Sequence, residues 1–511
     1  MSISGGKLAY GLPPDIARLL YNNDPRVDYQ VAEIKNSLGI ARSLKSDLSF
    51  EVTQLRMELM RLEREELHAA RHIERCEFAL APIRRIPTEI LEHIFLHYAD
   101  LLGDKPDCVD VKGGVWVLGH ICSYWRAVAL STPEIWTRCA FSCDIRCRDA
   151  PALVEAWFKR AGNRRLAIRF WCRAPDAAPV DNGHSPCDKV LRMFKDHRWS
   201  DAELQGSPRF FDMVETGRNN FRSLQKLDIR VVVSGNTVHL VTLSTFSAAP
   251  RLHDVSLSLT GSGVLGASLP WNQLVAYKGP IYLNADAHIL HHAPNIVECT
   301  FYPANFHWTS TNSNQALVHR LQHLHLTRFS PPPDALTLPA LQSLRFSACD
   351  DVMLPSIDRL LQRSMGAPTS LHIDEFILSP ALVALLAAAP TVTDLTIECE
   401  ARLSSVASAD DFFAFFKEDG STSPLLPAMR RLTTRGLAFG ESMVRMLEAR
   451  CAPPGQKGNT QWEGARLESL TISEVRNTHI SHLLRIKRLE SGAGLKLAAE
   501  SLSAVRILPS N

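Results

Sequence analysis

The sequence predicts a multidomain protein, α first and then α/β: an N-terminal coiled-coil helix, three short helices, and a C-terminal region of leucine-patterned repeats. Three observations carry this. An apolar residue recurs every 3.5 positions from Val31 to Leu80. Three short amphipathic segments, two of them bearing Trp125 and Trp136, follow the break at Pro82. A strand motif, apolar-x-x-apolar-x-apolar, then returns through the remainder of the chain.

The rod comes after a leader, residues 1–30, broken by Pro13, Pro14 and Pro25. With Val31 at position a, the a and d positions read Val31, Ile34, Leu38, Ala41, Lys45, Leu48, Val52, Leu55, Leu59, Leu62, Glu66, Ala69, Ile73, Cys76 and Leu80. Only Lys45 and Glu66 are charged, and no proline interrupts the series. Residues 51–80 carry 12 charged side chains, as the wet face of a rod about 75 Å long should. The pattern favours self-association or a hairpin, with a long helix laid on its own downstream domain as the alternative.

Pro82 and Pro87 end the rod. Ile90, Leu91, Ile94, Phe95 and Tyr98 then fall on one face of a helix opened by proline. A loop from Leu102 to Gly114 leads to a second helix with the face Val117, Leu118, Ile121, Cys122, Trp125 and Ala129. Ser131-Thr132-Pro133-Glu134 is a capping box that opens a third segment with Ile135 and Trp136. So short a module cannot bury all these side chains on itself, and the surplus is what a docking surface would need.

From about residue 220 the strand motif reads Leu224/Leu227/Ile229, Leu252/Val255/Leu257, Ile296/Cys299/Phe301, Leu321/Leu324/Leu326 and Leu341/Leu344/Phe346. It continues through Leu371/Ile373, Val392/Leu395/Ile397 and Leu467/Leu470/Ile472, with weak matches at Leu274/Tyr277 and Met429/Leu432. Successive middle positions are 20 to 38 residues apart, mostly the spacing of a leucine-rich repeat. Ser356–Ser364 and Ala381–Ala389 read as helical backs. A degenerate leucine-rich-repeat-like solenoid is expected over residues 150–511, and an ordinary α/β domain is the alternative.

Composition narrows the function. Of 511 residues, 56 are basic and 54 acidic, a net charge of +2 that gives no general attraction to nucleic acid or anionic membrane. No apolar run is long enough to span a bilayer; the closest, Phe376 to Ala389, contains Pro380. The N-terminus lacks the pattern of a signal peptide, so a cytoplasmic or nuclear address is expected. Cys139, Cys143 and Cys147 lack the second ligand pair of a structural zinc site, which favours reduced, partly buried thiols. His288, His291 and His292 read as a polar helix end, and of His319, His323 and His325 only His325 should project from an open strand face. The pairs Asp350-Asp351 and Asp410-Asp411 read as loop or helix-start acids. No phosphate-binding glycine loop, nucleophile elbow or zinc-protease motif occurs. No catalytic residue, metal or cofactor is expected.

Residues 80–138 resemble the F-box, the small helical module that docks substrate receptors on the Skp adaptor of cullin-based ubiquitin ligases. The matching residues are Ile86-Pro87-x-Glu89-Ile90-Leu91-x-x-Ile94-Phe95, Val117-Leu118-x-x-Ile121-Cys122-x-x-Trp125-Arg126-x-x-Ala129 and Pro133-x-x-Trp136. The heptad helix before it and the Asn23-Asp24-Pro25 leader are similar to the F-box proteins of mushroom-forming fungi. Two departures are Ile86, where leucine is commonest, and the long Ala99–Gly114 loop. The resemblance implies a three-helix F-box over 81–138, after a coiled-coil helix over 31–80 and before a substrate-binding region over 150–511. It implies adaptor contacts from Pro87, Ile90, Leu91, Ile94, Phe95, Val117, Leu118, Ile121, Trp125 and Trp136, the two tryptophans also fixing the helices against each other. The implied function is a non-catalytic substrate receptor, with the Skp adaptor, a cullin scaffold and an unknown protein target as partners. A coiled-coil and leucine-rich-repeat scaffold not coupled to ubiquitination is the alternative.

The target would meet the open strand face. In apolar-x-x-apolar-x-apolar the residue between the last two apolar positions points there. Those residues are Asp228, Ser256, Thr300, His325, Arg345, His372, Thr396 and Thr471. Polar and of mixed sign, they suit a peptide or protein surface better than a lipid cavity or a nucleic-acid track.

Overall fold

The computed structural model describes residues 13–22, 25, 27–103, 105–143, 149–172, 186–216, 221–233, 239–261, 263–280, 289–302, 316–327, 336–347, 353–364, 368–374, 379–399, 406–416, 425–437, 440–451, 464–473, 478–493, 495–500 and 507–508. Asn23, Asp24, Cys147, His288, Asp350 and Asp351 lie outside the described residues. The chain divides into two compact units, residues 1–90 and 91–511.

The first unit is dominated by α1, Asp28–Leu80, one uninterrupted helix of 53 residues. Its start is marked by the Val27 N–H donating to Gln30 Oε1 (3.3 Å) and by Asp28 in the first turn. It stops where Pro82 forces Ala81 into an extended conformation (φ −52°, ψ 129°). Arg61 pairs with Glu58 one turn before it and Glu65 one turn after it. No residue of α1 is buried, and its seam residues Leu48, Leu55, Leu59, Leu62 and Ile73 are exposed.

In the second unit the helices are shorter. α2, Thr88–Leu101, begins at the end of the first unit and buries Leu91 and Phe95. The expected second helix is divided into a 3₁₀ turn Gly114–Val117, a single turn Leu118–Ile121 and α3, Ser123–Ser131. The division falls at Cys122, which is fully extended (φ −158°, ψ 172°) and whose Sγ accepts the Trp125 N–H (3.4 Å). The third segment is a 3₁₀ turn, Pro133–Trp136.

The largest element is a sheet of fourteen parallel strands. β1 to β7 are Arg138–Ser142, Leu166–Cys172, Trp199–Gly206, Lys226–Val232, Asp254–Thr260, Ala276–Pro280 and Glu298–Tyr302. β8 to β14 are His323–Thr327, Ser343–Ser347, Ser370–Asp374, Asp394–Glu398, Arg431–Arg435, Ser469–Ser473 and Lys496–Glu500. Strand order follows chain order from edge to edge. With this order, right-handed crossovers between parallel strands place successive connections on one face of the sheet. Burial agrees: Leu344 and Phe346 are buried on β9 while Ser343, Arg345 and Ser347 between them are only half-buried.

This corrects the leucine-rich-repeat-like solenoid expected over 150–511. The sheet is a single α/β layer that starts at Arg138, three strands before the first expected repeat. Its units are also unlike one another. Helices Ala150–Ala161, Pro186–Lys195 and Pro208–Glu215 connect β1 to β4, and among the described residues helices return between β9 and β14. Between β4 and β9 the described connections are 3₁₀ turns and short strands, among them His239–Leu243 paired with Gly263–Ala267. The leucine motif reports a buried strand and its anchor, and it is silent about what crosses between strands.

The Leu102–Gly114 loop has a definite role. Ala140 of β1 donates its N–H to Pro106 O (2.7 Å) and accepts the Cys108 N–H (2.9 Å), so this loop caps the outer edge of the sheet. Lys105 reaches farther in, to Ile168 O (3.1 Å) and Asp201 Oδ1 (2.7 Å).

Cysteines divide by burial. Cys76 and Cys122 are exposed, whereas Cys108, Cys139, Cys172, Cys299, Cys399 and Cys451 are buried. Burial pushes the Cys139 thiol up to about 12 and those of Cys399 and Cys451 to about 11. The thiolate is the reactive form, so iodoacetamide on the native chain should modify Cys76 and Cys122 and spare these three. Peptide mass spectrometry checks this, and labelling of Cys139 as fast as Cys76 would contradict the packing.

Candidate functional site

The helical module of the second unit is closed by aromatic rings. Phe95 of α2 meets Trp125 of α3 with ring centroids 5.1 Å apart. Trp136 donates its indole N–H to Ala129 O (2.8 Å), which fixes the third segment to the end of α3. Trp136 also meets Trp116 (5.4 Å) and Trp157 (5.0 Å) edge-on, and Arg160 lies over the rings of Trp116 and Trp136. Trp157 belongs to the helix between β1 and β2, so part of the apolar surplus is absorbed by the sheet domain.

The ten residues expected at the adaptor surface therefore separate. Leu91, Phe95, Leu118 and Trp136 are buried, so they form the core of the module and cannot meet a partner in this conformation. Val117 and Trp125 are half-buried. Pro87, Ile90, Ile94 and Ile121 are exposed, with Ile90 at 51%, Ile94 at 42% and Ile121 at 53%. Tyr124 and Leu130 of α3 are exposed beside them in sequence.

On the sheet, the eight residues expected on the open face fall into a single register row. Asp228 pairs with Ser256, Thr300 with His325, His325 with Arg345, Arg345 with His372, and His372 with Thr396. Lys278 joins Ser256 to Thr300, and Thr433 joins Thr396 to Thr471. These two were missed because their strands match the leucine motif weakly. Arg169 and Glu203 extend the row on β2 and β3, which lack the motif altogether.

Charge gathers at two places along this row. Near β3, the largely buried Glu203 carboxylate pairs with Arg169 (2.6 Å), Arg230 (3.4 Å) and Lys105 (3.9 Å). Around β10, His372 Nε2 lies 2.5 Å from Asp374 Oδ1 and 3.2 Å from Glu398 Oε1. Arg345 holds the other Asp374 oxygen, Oδ2, through Nε (2.6 Å) and Nη2 (2.5 Å), and the Ser347 hydroxyl donates to it as well (2.9 Å). With that hydroxyl proton committed, Ser347 Oγ accepts from His325 Nε2 (2.7 Å). Burial, helped by Arg345, lowers His325 to about 4, which keeps it neutral. Burial would raise Asp374, but His372, Ser347 and Arg345 together outweigh it and hold the carboxyl at about 2. Asp374 and Glu398 stand two residues after row members His372 and Thr396, and strand periodicity alone could have placed them on this face.

Other expected groups have structural roles. Asp410 accepts the Ser442 N–H (2.6 Å), capping the helix Glu441–Cys451. Within that helix the buried Arg450 donates to the carbonyls of Leu425 and Leu426. His292 is exposed at the end of the 3₁₀ turn Ile289–His292.

No protein-family model matches the chain, and no curated protein matches it either. Among the described residues no helix is long and apolar enough to cross a membrane.

Proposed function

We propose that this chain is a non-catalytic substrate receptor of a Skp–cullin–F-box ubiquitin ligase. The observation that supports this best is the exposure of Ile94 and Ile121 on a module whose core takes Leu91, Phe95, Leu118 and Trp136. Ile90 repeats the feature one turn before Ile94. These aliphatic side chains, with Glu89, Glu92 and His93 near them in sequence, would dock the adaptor. The open polar face of the sheet would hold the target, and the receptor would act by raising the target's effective concentration near a ubiquitin-charged enzyme.

The test is direct. The full chain, mixed with a purified Skp-type adaptor, should elute as a 1:1 complex with a micromolar or tighter Kd. Absence of binding in that range rejects the reading. The same proposal takes α1 as the element that pairs two copies, since Leu48, Leu55, Leu59, Leu62 and Ile73 of its seam are exposed. Sedimentation of the full chain should then give a dimer, and Leu55→Asp with Leu62→Asp a monomer. A monomeric wild-type chain would remove α1 from this role.

A further inference from the structure

We propose that His372, Asp374 and Glu398 form a binding site for a divalent metal ion of the zinc class. Their ligand atoms all lie within 4.8 Å of one another. Two come from β10 and the third from β11, where Asp374 and Glu398 are register partners. Neighbouring strands therefore hold the three donors.

The observation that points to a ligand is the state of two atoms. Asp374 is only 6% exposed, and both its Oδ1 and His372 Nε2 are shielded from solvent. The two atoms are 2.5 Å apart, a close approach of charge, and neither is satisfied by a hydrogen bond. A cation bound by both would satisfy two buried polar atoms at once.

The surroundings arrange the carboxylates for this. Arg345 and Ser347 occupy Asp374 Oδ2 and leave Oδ1 to the site, and His325 steadies Ser347 from the next strand. Such outer contacts orient metal-binding carboxylates and tune their basicity. Arg435 lies 4.0 Å from Glu398 Oε2, away from the Oε1 that approaches His372. The 3.2 Å between His372 Nε2 and Glu398 Oε1 is close to the edge of a tetrahedron with bonds of about 2.0–2.1 Å, which is about 3.3 Å. The shorter His372–Asp374 approach has to open by less than about 1 Å to match it. One imidazole and two carboxylates suit zinc and its neighbours better than magnesium or calcium, which prefer oxygen alone. Water or a carboxylate of a bound peptide would complete the coordination. The site does not depend on adaptor docking.

Cobalt(II) titrated into the full chain tests it, because four-coordinate Co²⁺ absorbs strongly in the visible. One ion per chain is expected, with no near-ultraviolet thiolate band. Glu398→Gln, a partly exposed change that spares the fold, should weaken binding at least about tenfold, and His372→Ala likewise. Thr396→Ala, a row neighbour without a ligand atom, should leave it unchanged. Absence of one-to-one binding at sub-millimolar Co²⁺, unchanged binding in Glu398→Gln, or a thiolate band would each overturn the proposal.

Discussion

Trp136→Ala is expected to be the most destabilising truncation to alanine in the helical module of the second unit. Truncating a fully buried tryptophan costs about 3–5 kcal/mol through lost contacts and the remaining cavity. Ala129 O also loses the indole N–H that it accepts at 2.8 Å, and a buried carbonyl without its donor adds about 1–3 kcal/mol. The cavity would open between Trp116, Trp157 and Arg160, where the module meets the helix behind β1 and β2. The loss therefore reaches both the module and the first crossover of the sheet. Trp136→Phe keeps most of the ring and forfeits mainly the hydrogen bond, so about 1–2 kcal/mol is expected. Urea unfolding followed by circular dichroism separates the variants. A Trp136→Ala protein within 1 kcal/mol of wild type, on the scale of about 1 kcal/mol for a typical mutation, would mean that this junction does not hold the module.

The 53-residue α1 follows from heptad spacing and from the absence of proline between Pro25 and Pro82, both local properties. The open-face row was legible because a strand's side chains alternate: once Leu324 and Leu326 are placed inside, His325 must point out. Parallel pairing then aligned eight such residues from eight strands. β2 escaped notice although Leu166, Ile168, Phe170 and Cys172 alternate inward, because it lacks the upstream apolar anchor of the later strands. The division of the second helix at Cys122 was hidden as well, since its apolar face reads continuously across the break. The edge-capping role of Pro106 to Cys108 depends on backbone hydrogen bonds to Ala140, more than thirty residues away, and no side-chain pattern encodes them. The meeting of Glu398 with His372 likewise depends on the register of two strands.

Exposure, more than hydrophobicity, decides which isoleucines and leucines of the module can act on a partner, and this gives the clearest functional result to expect. Ile94→Asp combined with Ile121→Asp should leave stability within about 0.5 kcal/mol of wild type, because neither side chain is in the core. In an adaptor complex the same two carboxylates would be buried without partners. At hot-spot positions that costs about 2–4 kcal/mol, roughly a 30- to 1,000-fold weaker Kd. Leu91→Asp and Leu118→Asp should behave in the opposite order. Both side chains are buried, so a charge there unfolds the module, and binding is lost only as a consequence. Calorimetric titration against the adaptor, with urea unfolding of each variant, resolves the two classes. If the double isoleucine variant binds with an unchanged Kd while remaining folded, the exposed isoleucines are ordinary surface. Any adaptor complex would then have to use a different face of the chain.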